Sequence, residues 1–133
     1  MSATADGRTN VRPARTDELP PVMGVLDGAA LAIEADRVRG AIEREAVLVA
    51  VADDRVVGAC VLDGREIVAI AVRRARRDQG IGTRLVEAAA ERYATGEDEL
   101  IAEFDAGVRP FYASLGFAIE PADEPGRLRG HLG

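Results

Sequence analysis

The residues best suited to chemistry lie in "RDQGIGT", residues 77–83. Gly80 and Gly82 remove the side chains that would hold a ligand away from the main chain. Arg77 adds a fixed positive charge and Thr83 a hydroxyl. Ile81, Leu85, Ala88 or Ala89, and Tyr93 recur at helical spacing, which predicts a helix starting at Gly80 to Thr83. The unpaired amides of a helix start point back into such a turn. Beside close-approach glycines they form an anion site, and phosphate is its commonest occupant. The same spacing also suits a plain strand-to-helix turn. Two nucleotide motifs are excluded by residue identity. A P-loop requires lysine, and the chain has none. The dinucleotide fingerprint G-x-G-x-x-G fails at Leu85, where its third glycine belongs.

Other reactive residues read as bland. Cys60 sits inside an apolar strand and reads as a small core side chain, while His131, the only histidine, lies near the far end of the chain. One Cys and one His cannot build a zinc cage, so no metal is expected. Arg73, Arg74, Arg76 and Arg77 cluster beside the glycine turn. Their position suits phosphates or nearby acids.

The elements that position these residues follow from changes of period. "NVRPA" (10–14) reads as a strand and "TDELPPVMGVLDGAALAI" (16–33) as a helix capped by Thr16 or Asp17. "EADRVRGAIERE" (34–45) repeats Val38 and Ile42 and reads as a second helix. "AVLVAVA" (46–52), "VVGACVL" (56–62) and "EIVAIAV" (66–72) are apolar and largely β-branched, with only "DDR" and "DGR" between them. Links this short permit hairpins alone, so three sequential antiparallel strands are predicted, with both sheet faces covered. The third strand runs directly into the glycine turn. "ELIAEF" (99–104) reads as a further strand, "GVRPFYASL" (107–115) as a short helix stopped by Gly116, and "GFAIEP" (116–121) as another strand. Gly96 is the expected cap of the helix after the turn. "GRLRGHLG" at the end stays ambiguous.

Composition bounds the rest. The chain has 133 residues and 47% apolar residues, enough for one domain with a core of its own. Residues 1–9 read as a flexible tail without the apolar segment of a signal peptide, and 10–133 as a single domain. A lone cysteine forbids an internal disulfide and points to a reducing compartment, so a cytoplasmic location is expected. No apolar run is long enough for a membrane span. All 17 basic residues are arginine, and 23 acids bring the net charge to -6. That balance argues against generic nucleic-acid binding.

Two blocks together resemble the GNAT superfamily of N-acetyltransferases. "VRRARRDQGIGTRLVEAA" is similar to the family's Val-x-Pro-x-x-Arg-Gly-x-Gly-Ile-Gly motif and the helix after it. Val72, Arg77, Gly80, Ile81 and Gly82 match, Arg74 replaces Pro, and Asp78 replaces the frequent Gly. "DAGVRPFYASLGF" (105–117) resembles the later motif Asn-x-x-Ala-x-x-Phe-Tyr-x-x-x-Gly-Phe through Phe111, Tyr112, Leu115, Gly116 and Phe117. Asp105 and Val108 stand where Asn and Ala are common. "VRPARTDELPPVMGVL" resembles the family's N-termini, so the resemblance spans nearly the whole chain.

The resemblance implies a mixed α/β GNAT acyltransferase fold: a mostly antiparallel sheet, splayed beside its central strand and flanked by helices. It implies acetyl-coenzyme A as cosubstrate. The pantetheine arm would pair with the main chain of Ile70, Ala71 and Val72. The pyrophosphate would sit on the amides of Arg77, Asp78, Gln79, Gly80, Ile81, Gly82 and Thr83. Tyr112 matches the tyrosine that often protonates the leaving thiolate. Glu66, at the start of the central strand, is the first candidate base, with Glu103 and Asp105 as alternatives. The implied partner is an amine acceptor, either a small molecule or a protein amine. The acidic balance suits cationic acceptors such as polyamines, aminoglycosides or protein N-termini. A non-catalytic module that senses acetyl-coenzyme A or regulates a partner protein carries the same donor motif. The sequence leaves oligomeric state, including a homodimer, open.

Overall fold

The computed structural model describes residues 9–29, 33–93 and 99–133. The expected tail over 1–8, the stretch of the first predicted helix over 30–32, the side chain of Tyr93 and the Gly96 cap lie outside the described residues. Seven strands form one sheet: β1 (Asn10–Pro13), β2 (Val47–Ala52), β3 (Arg55–Asp63), β4 (Glu66–Val72), β5 (Leu100–Asp105), β6 (Ala118–Pro121) and β7 (Arg127–Leu132). Their order is β1-β2-β3-β4-β5-β7-β6. Four helices accompany them: α1 (Leu19–Gly28), α2 (Ala35–Glu43), α3 (Ile81–Tyr93) and α4 (Arg109–Ser114).

The hairpins form as their links dictate. Asp53 and Asp54 both take positive φ, 53° and 63°, the pattern of a two-residue type I′ turn. Gly64, at φ 60°, opens the β3–β4 turn. β3 is buried without interruption from Val56 to Leu62, because both sheet faces are covered. A Cβ on Gly58 would lie 3.1 Å from Leu85 and 3.2 Å from Ile81, so Gly58 faces α3, and Cys60 and Leu62 follow by alternation. Val57, Ala59 and Val61 are as deeply buried on the opposite face, which α1 and α2 cover. Ile81, Leu85, Val86 and Ala89 form the buried stripe of α3.

The ambiguous C-terminal stretch is a strand. β7 inserts between β5 and β6 and pairs antiparallel with both. Its Gly130 is required by packing: a Cβ there would approach Phe117 to 2.9 Å and Phe104 to 3.2 Å.

The first predicted helix opens with a 3-10 turn over Thr16–Glu18. Glu18, rather than Thr16 or Asp17, is the organising residue there. Its carboxylate accepts from both Arg12 Nη groups, at 2.8 and 2.7 Å, and from the Arg15 amide at 2.8 Å. The two-pronged Arg12 contact comes first among the forces that lower its pKa from 4.5 to about 2. A depressed folded-state pKa stabilises the protein above pH 4.5, and that stability is lost as pH falls toward 2. Glu18→Gln is expected to cost about 2 kcal/mol at neutral pH. It should also flatten the acid limb of melting temperature against pH between those values. An acid limb as steep as that of the wild type would remove Glu18 as its cause.

Candidate active site

β4 and β5 are parallel neighbours joined at only two positions, Glu66–Ile101 and Ile67–Ala102. Beyond Ile67 they diverge. On its other side β4 stays paired with β3 up to Gly58–Val72, absorbing Val68 as a bulge. Arg73 N–H donates to the Val57 carbonyl at 2.8 Å. Bonded and non-bonded pairs alternate in an antiparallel ladder, so Arg73 and Ala71 bond to β3. The peptide groups of Ile70 and Val72 face the diverging edge. Ala71, grouped with them by the sequence, turns its peptide groups into the sheet.

The strand then enters the glycine turn. Arg77 Nε donates back to the Val72 carbonyl at 3.0 Å, fastening turn to strand end. Asp78 takes φ 64° and Gly80 φ 80°. A left-handed φ at 78 accounts for the glycine common there, and Asp is among the residues that tolerate it. A Cβ on Gly80 would meet nothing within 4 Å, so that glycine serves conformation. The first α3 bond runs from Arg84 N–H to the Gly80 carbonyl at 3.0 Å. The amides of Ile81, Gly82 and Thr83 precede it and have no helical partner.

A cleft of about 890 Å³ joins the open strand edge to the turn. Ile70, Ala71, Val72, Arg77, Asp78, Gly80, Ile81, Gly82 and Thr83 line it, together with Phe111 and Tyr112. Gln79 does not line the cleft; its side-chain oxygen accepts from Arg76 Nε at 3.2 Å. Glu66 is exposed at the start of β4, away from the cleft lining, whereas Glu103 and Asp105 both border the cleft. Ala29, at the end of α1, and Arg127, at the start of β7, complete its other side.

Tyr112 is 4% exposed. Its ring stacks on Phe104 at 3.9 Å and meets Phe111 and Phe117 edge-on at 5.0 and 5.2 Å. Among the described residues its hydroxyl has no hydrogen-bond partner. Burial pushes its pKa up to about 12; the neighbouring Cys60 adds to the rise and Arg127 opposes it. The group therefore keeps its proton across neutral pH. Cys60 is fully buried, and burial raises its thiol to about 12, which leaves it an inert core residue.

The cleft reaches both faces of the sheet. Phe104 stacks on Tyr112, so by strand alternation Glu103 and Asp105 project from the opposite face. The splay between β4 and β5 connects the two sides. Sequence reasoning missed Arg127, because its segment was left unassigned. A signal was present: Arg127, Arg129 and His131 alternate with Leu128, Gly130 and Leu132, the period of a strand. Among the described residues, no three His, Cys, Asp or Glu side chains gather as a metal site would require, and no helix is long and apolar enough to cross a membrane.

A mixed sheet splayed beside the start of a helix, with one cleft serving both, is the GNAT acetyltransferase fold. The family model for the acetyltransferase (GNAT) domain matches residues 43–119, more than half of the chain, and the chain belongs to that family. No protein of curated function matches in sequence. Solved structures share the fold. PaiA N-acetyltransferase from Thermoplasma acidophilum, solved in complex with coenzyme A, superposes with a TM-score of 0.79 at 15% identity, over 95% of this chain and 99% of that one. Apo-form YjaB from Escherichia coli gives 0.68 at 23% identity, over 94% and 97%. N-acetylglutamate synthase from Neisseria gonorrhoeae, complexed with coenzyme A and N-acetyl-glutamate, gives 0.76 at 18% identity, over 96% of this chain but 36% of that one.

Proposed function

We propose that the protein transfers the acetyl group of acetyl-coenzyme A to a primary amine by direct attack within the cleft. The observation that carries this reading is the single cleft lined from both faces of the sheet. The anion-binding turn and Tyr112 lie toward one side, and Glu103, Asp105 and Arg127 toward the other. A donor and an acceptor entering from opposite sides would meet at the splay.

The chain's own groups fit the donor. The free peptide groups of Ile70 and the N–H of Val72, whose carbonyl is held by Arg77, match the amides of an extended pantetheine arm. The amides of Ile81, Gly82 and Thr83 suit its pyrophosphate. The coenzyme A complexes of PaiA and of N-acetylglutamate synthase support the same donor. The amine nitrogen attacks the thioester carbonyl; a C–N bond forms and the C–S bond breaks. The amine proton passes to solvent or to a carboxylate at the splay. Glu103 and Asp105 are better situated for this than Glu66 because they border the cleft. Tyr112 donates a hydrogen bond to the leaving thiolate, which then takes its proton from solvent.

Steady release of free thiol from acetyl-coenzyme A across a panel of amines tests the reading. Tight donor binding with no turnover of any amine would favour the sensing module instead.

Arg77→Ala is expected to raise the donor dissociation constant about 5- to 30-fold. Acetyl-pantetheine, which lacks phosphates, should lose only about 2- to 3-fold, the share due to the Val72 carbonyl contact. Equal losses in calorimetry would assign all of the Arg77 effect to the strand end.

A further inference from the structure

We propose that Arg127 anchors a carboxylate of the acceptor, so that the acceptor is an amine that also carries a carboxylate, an amino-acid-type zwitterion rather than a polycation. The inference rests on the transferase reading and names the substrate class of the same cleft.

β5 and β7 set Glu103 opposite Arg129 and Asp105 opposite Arg127. Residues directly opposed in an antiparallel pair share a face, so these four charges form one array on the acceptor side. Their states differ. Arg129 Nη1 holds Glu103 Oε2 at 2.9 Å. Asp105 Oδ1 accepts the Gly107 amide at 2.8 Å and has its second oxygen in reserve. Arg127 lines the cleft half-buried, and among the described residues its guanidinium has neither an ion-pair nor a hydrogen-bond partner. In a chain of 23 acids and net charge -6, a half-desolvated guanidinium without a carboxylate is conspicuous. Its planar fork fits a carboxylate with two parallel bonds.

Position separates this group from the donor's phosphates. The charge of Arg127 acts on the Tyr112 hydroxyl, where the reaction is read to occur, and the phosphate-binding amides belong to the start of α3. A free guanidinium and a half-free carboxylate side by side complement an ammonium and a carboxylate a few bonds apart. A polyamine or aminoglycoside would bring a second cation against Arg127.

The experiment compares free L-amino acids with their carboxamides and with spermidine, scored by thiol release. Wild type is expected to favour the free acids at least about 10-fold in kcat/KM. Arg127→Gln should raise KM for the free acids about 10- to 100-fold more than for the amides, with acetyl-coenzyme A affinity retained, and Arg127→Lys should recover part of the loss. Equal use of amides or spermidine by the wild type would overturn the proposal while leaving the transferase reading intact. So would weakening of donor binding in Arg127→Gln. If no amine is turned over, the transferase reading fails, and calorimetry on the coenzyme A-bound protein decides the site. N-acetyl amino acids binding more tightly than their amides, with that margin lost in Arg127→Gln, would sustain it; no such margin would overturn it.

Discussion

In Tyr112→Phe, kcat is expected to fall about 10²-fold or more, with the affinity for acetyl-coenzyme A within about twofold of wild type. Phenylalanine keeps the stack on Phe104 and the edge contacts with Phe111 and Phe117, so the variant removes the hydroxyl and little else. A pKa of about 12, set mainly by burial, means that the hydroxyl is a proton-bearing donor at every pH at which the protein would be assayed. The same burial disfavours the tyrosinate. In the proposed transfer Tyr112 would therefore act as a hydrogen-bond donor to the developing thiolate and keep its own proton. The kcat profile should accordingly show no limb from Tyr112 below about pH 10. A kcat unchanged in Tyr112→Phe would remove the hydroxyl from the mechanism and leave the ring as core.

Gly82→Val is expected to weaken acetyl-coenzyme A binding by about 10²-fold or more while the protein still folds, at a cost of about 1 to 3 kcal/mol from overpacking. A Cβ at this position would lie 3.3 Å from the Phe111 ring and 3.9 Å from Val72, so two explanations of the glycine compete. One is close approach of a ligand to the helix-start amides. The other is close approach of Phe111. Phe111→Ala separates them. If Gly82→Val in the Phe111→Ala background still binds donor weakly relative to Phe111→Ala alone, the glycine serves the ligand. Recovery of affinity in that background would mean that it serves the aromatic ring.

Much of the site was legible because its parts are local. The turn at 77–83 is one contiguous segment, and its amides lack partners wherever α3 starts at Ile81. Tyr112 follows Phe111 in a short helix that its own sequence predicts. Glu66 illustrates the opposite case. Its place at the head of the central strand suggested proximity to the reaction, yet the splay opens toward the far end of β4, and Glu66 lies where β4 and β5 are still paired. Glu103 and Asp105 gain their position from β5, a strand remote in sequence from the turn.

The sequence by itself determined most of the elements, the hairpins and the glycine turn. These depend on side-chain period, on φ preferences at Asp53, Asp54, Gly64 and Gly80, and on the unpaired amides of a helix start, all of which act within a few residues. Only the tertiary structure decided where the sheet opens, which carboxylates face the cleft, how deeply Tyr112 is buried, and that the Arg127 guanidinium has no partner among the described residues. Those outcomes depend on strand order and register between segments distant in the chain. A shift of one residue in the β5–β7 register would turn Arg127 from the cleft toward the aromatic cluster of Phe104 and Phe117.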